Sequence, residues 1–150
     1  MEKPRVLHYV TKILVDLMLY GGIVALVVLP FVLPMLMAFI GVSMHFQTAY
    51  TLILLSAGLC SVYIVYQLRR MFQTLLSGNP FVTQNVSCLR KCAVASALIA
   101  FIFAIRLVLW FTIASSIIVV IFSLLSLFSL TIKDLFKQAV AYKEETDWTV

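Results

Sequence analysis

Residues 17–68 read LMLYGGIVALVVLPFVLPMLMAFIGVSMHFQTAYTLILLSAGLCSVYIVYQL, without one Asp, Glu, Lys or Arg. A membrane-crossing helix needs about 20 apolar residues, so this stretch holds two helices and the turn between them. Lys12 bounds it on one side, and Arg69 with Arg70 on the other. Helices over residues 13–33 and 50–70 follow. Pro30 and Pro34 mark the far end of the first, because each removes a backbone donor and crowds the preceding turn. The helix is expected to kink or stop there. The apolar run 35–40 is then expected in the outer interface or folded back into it, since irregular backbone facing lipid is not tolerated.

Outward from this hairpin, charge sets the topology. Ten of the eleven Lys and Arg residues fall in three clusters: Lys3, Arg5 and Lys12; Arg69, Arg70, Arg90 and Lys91; and Lys133, Lys137 and Lys143. Cytoplasmic loops hold the excess of Lys and Arg, so all three clusters belong on one inner side and the chain crosses and returns twice. The second hairpin, with helices over 90–108 and 114–134, has an apolar run from Ala93 to Ile132 interrupted only by Arg106. Its turn is expected to span 108–114, where Trp110 and Phe111 suit headgroup depth. A loop over 71–89 and a tail over 135–150 share the inner face with both termini. The predicted fold is a single all-α domain over residues 1–150. It is an integral membrane four-helix bundle of two transmembrane hairpins with an amphipathic cytoplasmic C-terminal extension. Small residues at helical spacing, Gly21 with Ala25, Ala57 with Ser61, and Ser96 with Ala100 and Ala104, offer faces for close helix approach, within the bundle or in a homo-oligomer. The two halves show no internal repeat, which leaves an inverted-repeat transporter without support.

Composition agrees. An apolar content of 63%, a charged content of 11% and a mean hydropathy of +1.10 exclude a soluble globular domain. The net charge of +5 flanks apolar runs and builds no stripe with interleaved aromatics, so the lipid bilayer supplies the counter-charge and direct contact with nucleic acid is not expected. The apolar stretch after Lys12 exceeds a signal-peptide core and no A-x-A site follows, which reads as a retained anchor. No paired carboxylates, Ser/His/Asp or Cys/His constellation or phosphate-binding glycine loop is present, so neither an enzyme nor a cofactor is expected. Cys88 and Cys92 share a helical face, but their segment offers no His, Asp or Glu to complete a metal site. They read, with Cys60, as ordinary small buried residues.

Four features remain as functional candidates. The segment Leu75-Leu76-Ser77-Gly78-Asn79-Pro80-Phe81-Val82-Thr83-Gln84-Asn85 is the polar joint between hairpins. Gly78 can end the preceding helix, Asn79 is held out of helical conformation by Pro80, and Thr83 or Asn85 can cap the next helix. Phe81 and Val82 are apolar in a loop that does not require it, and either pack under the bundle or meet a partner. In the tail, Ile132, Leu135, Phe136, Ala139 and Val140 follow helical spacing before Glu144, Glu145, Asp147 and Trp148. This describes an interfacial helix with a solvated end or a docking surface. Arg106 is the one charge on the outer half, placed near the membrane edge where it can snorkel, with an outward-facing anion site as the alternative. Asp16 lies one turn beyond Lys12, at the depth of Gln67 and Arg69. A local ion pair explains it, and a proton relay is the alternative. His45 reads as a solvated loop residue.

The two hairpins, the Gly78-Asn79-Pro80-Phe81 motif with Asn85, Leu89 and Arg90 after it, and the closing Lys143-Glu144-Glu145-Thr146-Asp147-Trp148-Thr149-Val150 together resemble a bacterial family of small four-helix membrane proteins, the domain of unknown function 2975. Tails in that family read close to Glu-Glu-Asn-Asp-Leu-Thr-Val, from which Thr146 and Trp148 depart. Members are often encoded beside a small helix-turn-helix regulator. The resemblance therefore implies a protein of the bacterial cytoplasmic membrane that holds or modulates a DNA-binding partner, with Asn79, Pro80, Phe81, Asn85, Arg90, Glu144, Glu145, Asp147 and Trp148 as docking residues. It implies no catalytic residues. A small transport-related or immunity protein, binding an apolar molecule or peptide in the bundle or at its outer loop, is the alternative.

Overall fold

The computed structural model describes residues 3–41, 43–76 and 81–148, with side chains described for residues 9–41, 43, 46–76 and 81–146. The described residues form four helices: α1 (Lys3–Phe39), α2 (Met44–Leu76), α3 (Thr83–Leu109) and α4 (Ile113–Trp148). All four are long and apolar enough to cross a membrane. At 1.5 Å per residue, the 36 residues of α4 span about 54 Å, against about 30 Å of hydrocarbon. Side chains such as Phe31, 76% exposed, and Phe39, 93% exposed, would be untenable in water over so large an area and are at home against lipid. The chain is a multi-pass membrane protein.

Neighbouring helices run antiparallel, and specific contacts fix their register. Asp16 of α1 meets Arg69 of α2, and Gly22 and Gly58 sit against Val62 and Leu26 across the same interface. Cys92 of α3 approaches the Ile64 carbonyl of α2, and Ser126 Oγ of α4 donates to the Ala93 carbonyl of α3 at 2.9 Å. The three turns thus alternate ends, and Arg69, Arg70, Phe81 and Phe136 gather at one end while Gly41, Tyr50, Arg106 and Trp110 gather at the other.

The helices do not close into the compact bundle the sequence suggests. α1 packs on α2, α2 on α3 and α3 on α4, while α1 makes no close backbone approach to α3 or α4. Lipid solvates an apolar helix face as well as a protein neighbour does, so no hydrophobic penalty forces closure. The core consequently lies in the α2–α3–α4 half, around Ala57, Ile64, Cys92, Ala95, Ile99 and Phe103, with Ile118 and Phe122 against them. Cys88 and Cys92 are buried there.

Three local expectations are corrected. α1 runs through Pro30 and Pro34 to Phe39, and residues 35–39 are helix rather than a folded-back segment. Each proline strands at most one carbonyl, whereas unwinding in lipid would strand several polar groups. The chain turns instead at Gly41, whose φ of 81° is the left-handed conformation that glycine permits. Close approach of α1 to α2 uses Gly22 and Gly58, where an added Cβ would stand 3.1 Å from Val62 Cγ2 and 2.6 Å from Leu26 Cδ2, whereas Gly21 faces open space. Finally, α3 begins after Val82 with no side-chain cap, so neither Thr83 nor Asn85 serves as one. Asn85 is fully buried and accepts a 2.8 Å hydrogen bond from Thr74 Oγ1 of α2.

Candidate functional site

Polar side chains border open volume at each end of the molecule. The first such place is built on Arg106. It lies in the last turn of α3, whose end is fixed by the Trp110 amide donating to the Arg106 carbonyl at 2.8 Å. Residues 110–112 form the whole turn to α4, shorter than the 108–114 span expected. This tightness brings Ser115, in the first turn of α4, beside Arg106. The register of α2 brings Tyr50 from the other side.

Arg106 is only 6% exposed, so it does not snorkel to the membrane edge. Its Nη1 donates to Ser115 Oγ and its Nη2 to Tyr50 Oη. The guanidinium carbon also lies 4.3 Å from the centre of the Tyr50 ring, a cation–π contact. Three helices therefore hold one charge by neutral groups. The sequence has no acidic residue between Asp16 and Asp134, and both belong to the opposite end. A cavity of about 400 Å³ opens beside the guanidinium, lined by Met37, Phe46, Ala49, Tyr50, Ile53, Arg106, Trp110 and Thr112. Phe46 and Trp110 meet edge to face at 5.2 Å over it. Tyr50 and Ser115 were not singled out in the sequence, because a neutral hydroxyl carries no charge signal. Their hydroxyls at matching hairpin depth were the available signal.

The second place joins the loop to the tail. Phe81 packs on Phe136 of α4 with ring centres 5.6 Å apart. Phe81, Val82 and Thr83 then line a cleft of about 250 Å³ with Val140, Lys143 and Glu144. Leu135 and Tyr142, seven residues apart on one face of α4, are 59% and 70% exposed. Of the apolar set on this part of α4, Phe136, Ala139 and Val140 are half-buried, while Ile132 and Leu135 are exposed. Of the sequence candidates, Phe81 and Glu144 come together at this cleft, and Glu145 is exposed beside it. Asn85 is buried away from the surface. Arg90 is exposed on α3, in a separate groove of about 490 Å³ with Lys91, Leu59 and Tyr63. Asn79 and Pro80, and the side chains of His45, Asp147 and Trp148, lie outside the described residues.

Asp16 Oδ1 stands 2.5 Å from Arg69 Nε, with both side chains partly exposed. They meet as opposite charges, without hydrogen-bond alignment. Among the described residues no group of three or more His, Cys, Asp or Glu side chains could hold a metal ion.

A family model described as protein of unknown function, DUF2975, matches residues 23–150. The chain belongs to this family. The matched range takes in the Arg106 cavity, the joint between the hairpins and the whole of α4. No curated protein and no solved structure matches the chain.

Proposed function

We propose that this is a non-enzymatic protein of the bacterial cytoplasmic membrane, both termini inside, whose joint and tail together recruit a small helix-turn-helix transcription regulator. The observation that carries the reading is the Phe81–Phe136 contact, which makes one surface of two segments far apart in sequence. Around it, Leu135 and Tyr142 are exposed on the part of α4 that outruns the hydrocarbon. An apolar helix face beside a charged one is the pattern of helix-in-groove recognition. The Lys and Arg clusters at this end favour the cytoplasmic side. A DNA-binding regulator carries basic surface, which the exposed Glu144 and Glu145 complement. Capture there withdraws the regulator from DNA, and the membrane protein itself contacts no nucleic acid. The test is a crosslinking pull-down from native membranes with the full chain and with a form truncated after Ala141. The reading requires a small DNA-binding protein recovered with the full chain alone; recovery with both forms, or with neither, removes it.

A second reading is favoured by the cavity beside Arg106. Concave, aromatic-lined volume with a few convergent polar groups is the usual form of a small-molecule site. On this reading the chain binds a ligand at the end opposite the tail.

A further inference from the structure

We infer that the cavity between α2, α3 and the α3–α4 turn binds an amphipathic organic anion, a carboxylate carrying an aromatic or aliphatic body, with Arg106 as its counter-charge; this rests on the ligand-binding reading above. Arg106 is more than nine-tenths buried and, among the described residues, has no acidic partner. A guanidinium is always protonated, and a buried charge without a counter-charge is costly in a low-dielectric setting. Helix interiors in membranes keep such residues where they face a pathway or a ligand.

The groups around the guanidinium specify the sign and shape of what binds. Ser115 and Tyr50 each accept an N–H from Arg106; Tyr50 lines the cavity and keeps its hydroxyl proton available, whereas Ser115 is fully buried outside the lining. Neither hydroxyl donates elsewhere among the described residues. The cluster therefore presents donors and positive charge, the arrangement that stabilises a carboxylate through charge-assisted hydrogen bonds. Apart from Thr112, the rest of the lining, Met37, Phe46, Ala49, Ile53 and Trp110, is apolar and selects an apolar body. A volume of about 400 Å³ admits a bicyclic aromatic acid and lies within the range of small-molecule pockets. Simple inorganic anions would leave that apolar lining unused.

The test uses the full chain in lipid nanodiscs, with naphthalene-2-acetate and its neutral amide as probes, measured by calorimetric titration. The carboxylate should bind about tenfold or more tightly than the amide, the size of effect a charge-assisted hydrogen bond supplies. Arg106→Gln should bring the carboxylate to the affinity of the amide and leave the amide unchanged. Because Arg106→Gln disturbs a three-helix contact, Tyr50→Phe serves as the second variant. It keeps the ring under the guanidinium and should weaken the carboxylate several-fold while sparing the amide. Met37→Trp, which adds bulk to the cavity lining, should block both probes. Equal binding of the two probes to the wild-type chain overturns the anion inference and leaves the ligand-binding reading standing. Absence of binding by either overturns both.

Discussion

Thr74 Oγ1 of α2 donates a 2.8 Å hydrogen bond to Asn85 Oδ1 of α3, and Asn85 is fully buried. The bond pins the two helices together just before the joint that carries Phe81, so it supports the Phe81–Phe136 contact from beneath. Thr74→Val and Asn85→Ala should each destabilise the chain, with a coupling of about 0.5–2 kcal/mol in a double-mutant cycle. Reversible unfolding in mixed micelles measures it. Strict additivity of the two changes would show that the bond contributes nothing.

The α1–α2 interface depends on Gly58 having no side chain. A Cβ there would meet Leu26 Cδ2 at 2.6 Å, so Gly58→Val should cost about 1–3 kcal/mol as overpacking. Gly21→Ala, on open space, should be neutral or slightly stabilising through helix propensity. Thermal unfolding of both variants in one detergent checks the contrast, and equal effects would contradict the interface.

Arg106 is expected to be kept at the expense of stability. Exchanging a buried charge for an apolar side chain of similar length is often neutral or stabilising, by about 1–4 kcal/mol, whereas removing one partner of a retained charge is destabilising. Arg106→Met should therefore unfold at the same temperature as the wild type or higher. Tyr50→Phe and Ser115→Ala should unfold lower, by about 1–3 kcal/mol each, since each strips a hydrogen bond from the guanidinium. A large loss in Arg106→Met would instead assign the residue to folding.

Asp16 is committed to Arg69, so it should act as a boundary ion pair and carry no proton current. Both side chains retain access to solvent, which limits the coupling in an Asp16→Asn, Arg69→Gln cycle to about 1 kcal/mol or less. Proton flux into liposomes should be the same for wild type and Asp16→Asn. A change in flux would return Asp16 to the relay role.

The hairpins were legible because the signal is one-dimensional: uninterrupted apolar runs separated by Lys and Arg specify how many helices fit, whatever their packing. What the runs could not reveal is which helices touch. In lipid an apolar face has no need of a protein partner, so the open order of α1, α2, α3 and α4 leaves no mark on hydropathy. Asn85 shows a second limit, since an Asn near a helix start suits both a cap and a cross-helix bond, and only the position of Thr74 decides. Gly21 and Gly22 are a third case: adjacent helical residues point about 100° apart, and spacing alone did not select the one facing Val62. For Arg106 the place near the end of its helix was readable, but its burial follows from its contacts with two other helices. The loop–tail surface was partly legible, because topology brings Phe81 and the α4 extension to one end, whereas their ring contact depends on where each helix ends.

The account rests on the joint and the tail forming one surface that meets a regulator. The most direct measurement is site-specific photocrosslinking in living cells, with the probe amino acid placed in turn at Phe81, at Tyr142 and, at the opposite end of the molecule, at Phe111. The account predicts the same small DNA-binding protein crosslinked from Phe81 and from Tyr142 and none from Phe111. Adducts to that protein from Phe111, or from neither Phe81 nor Tyr142, would contradict it.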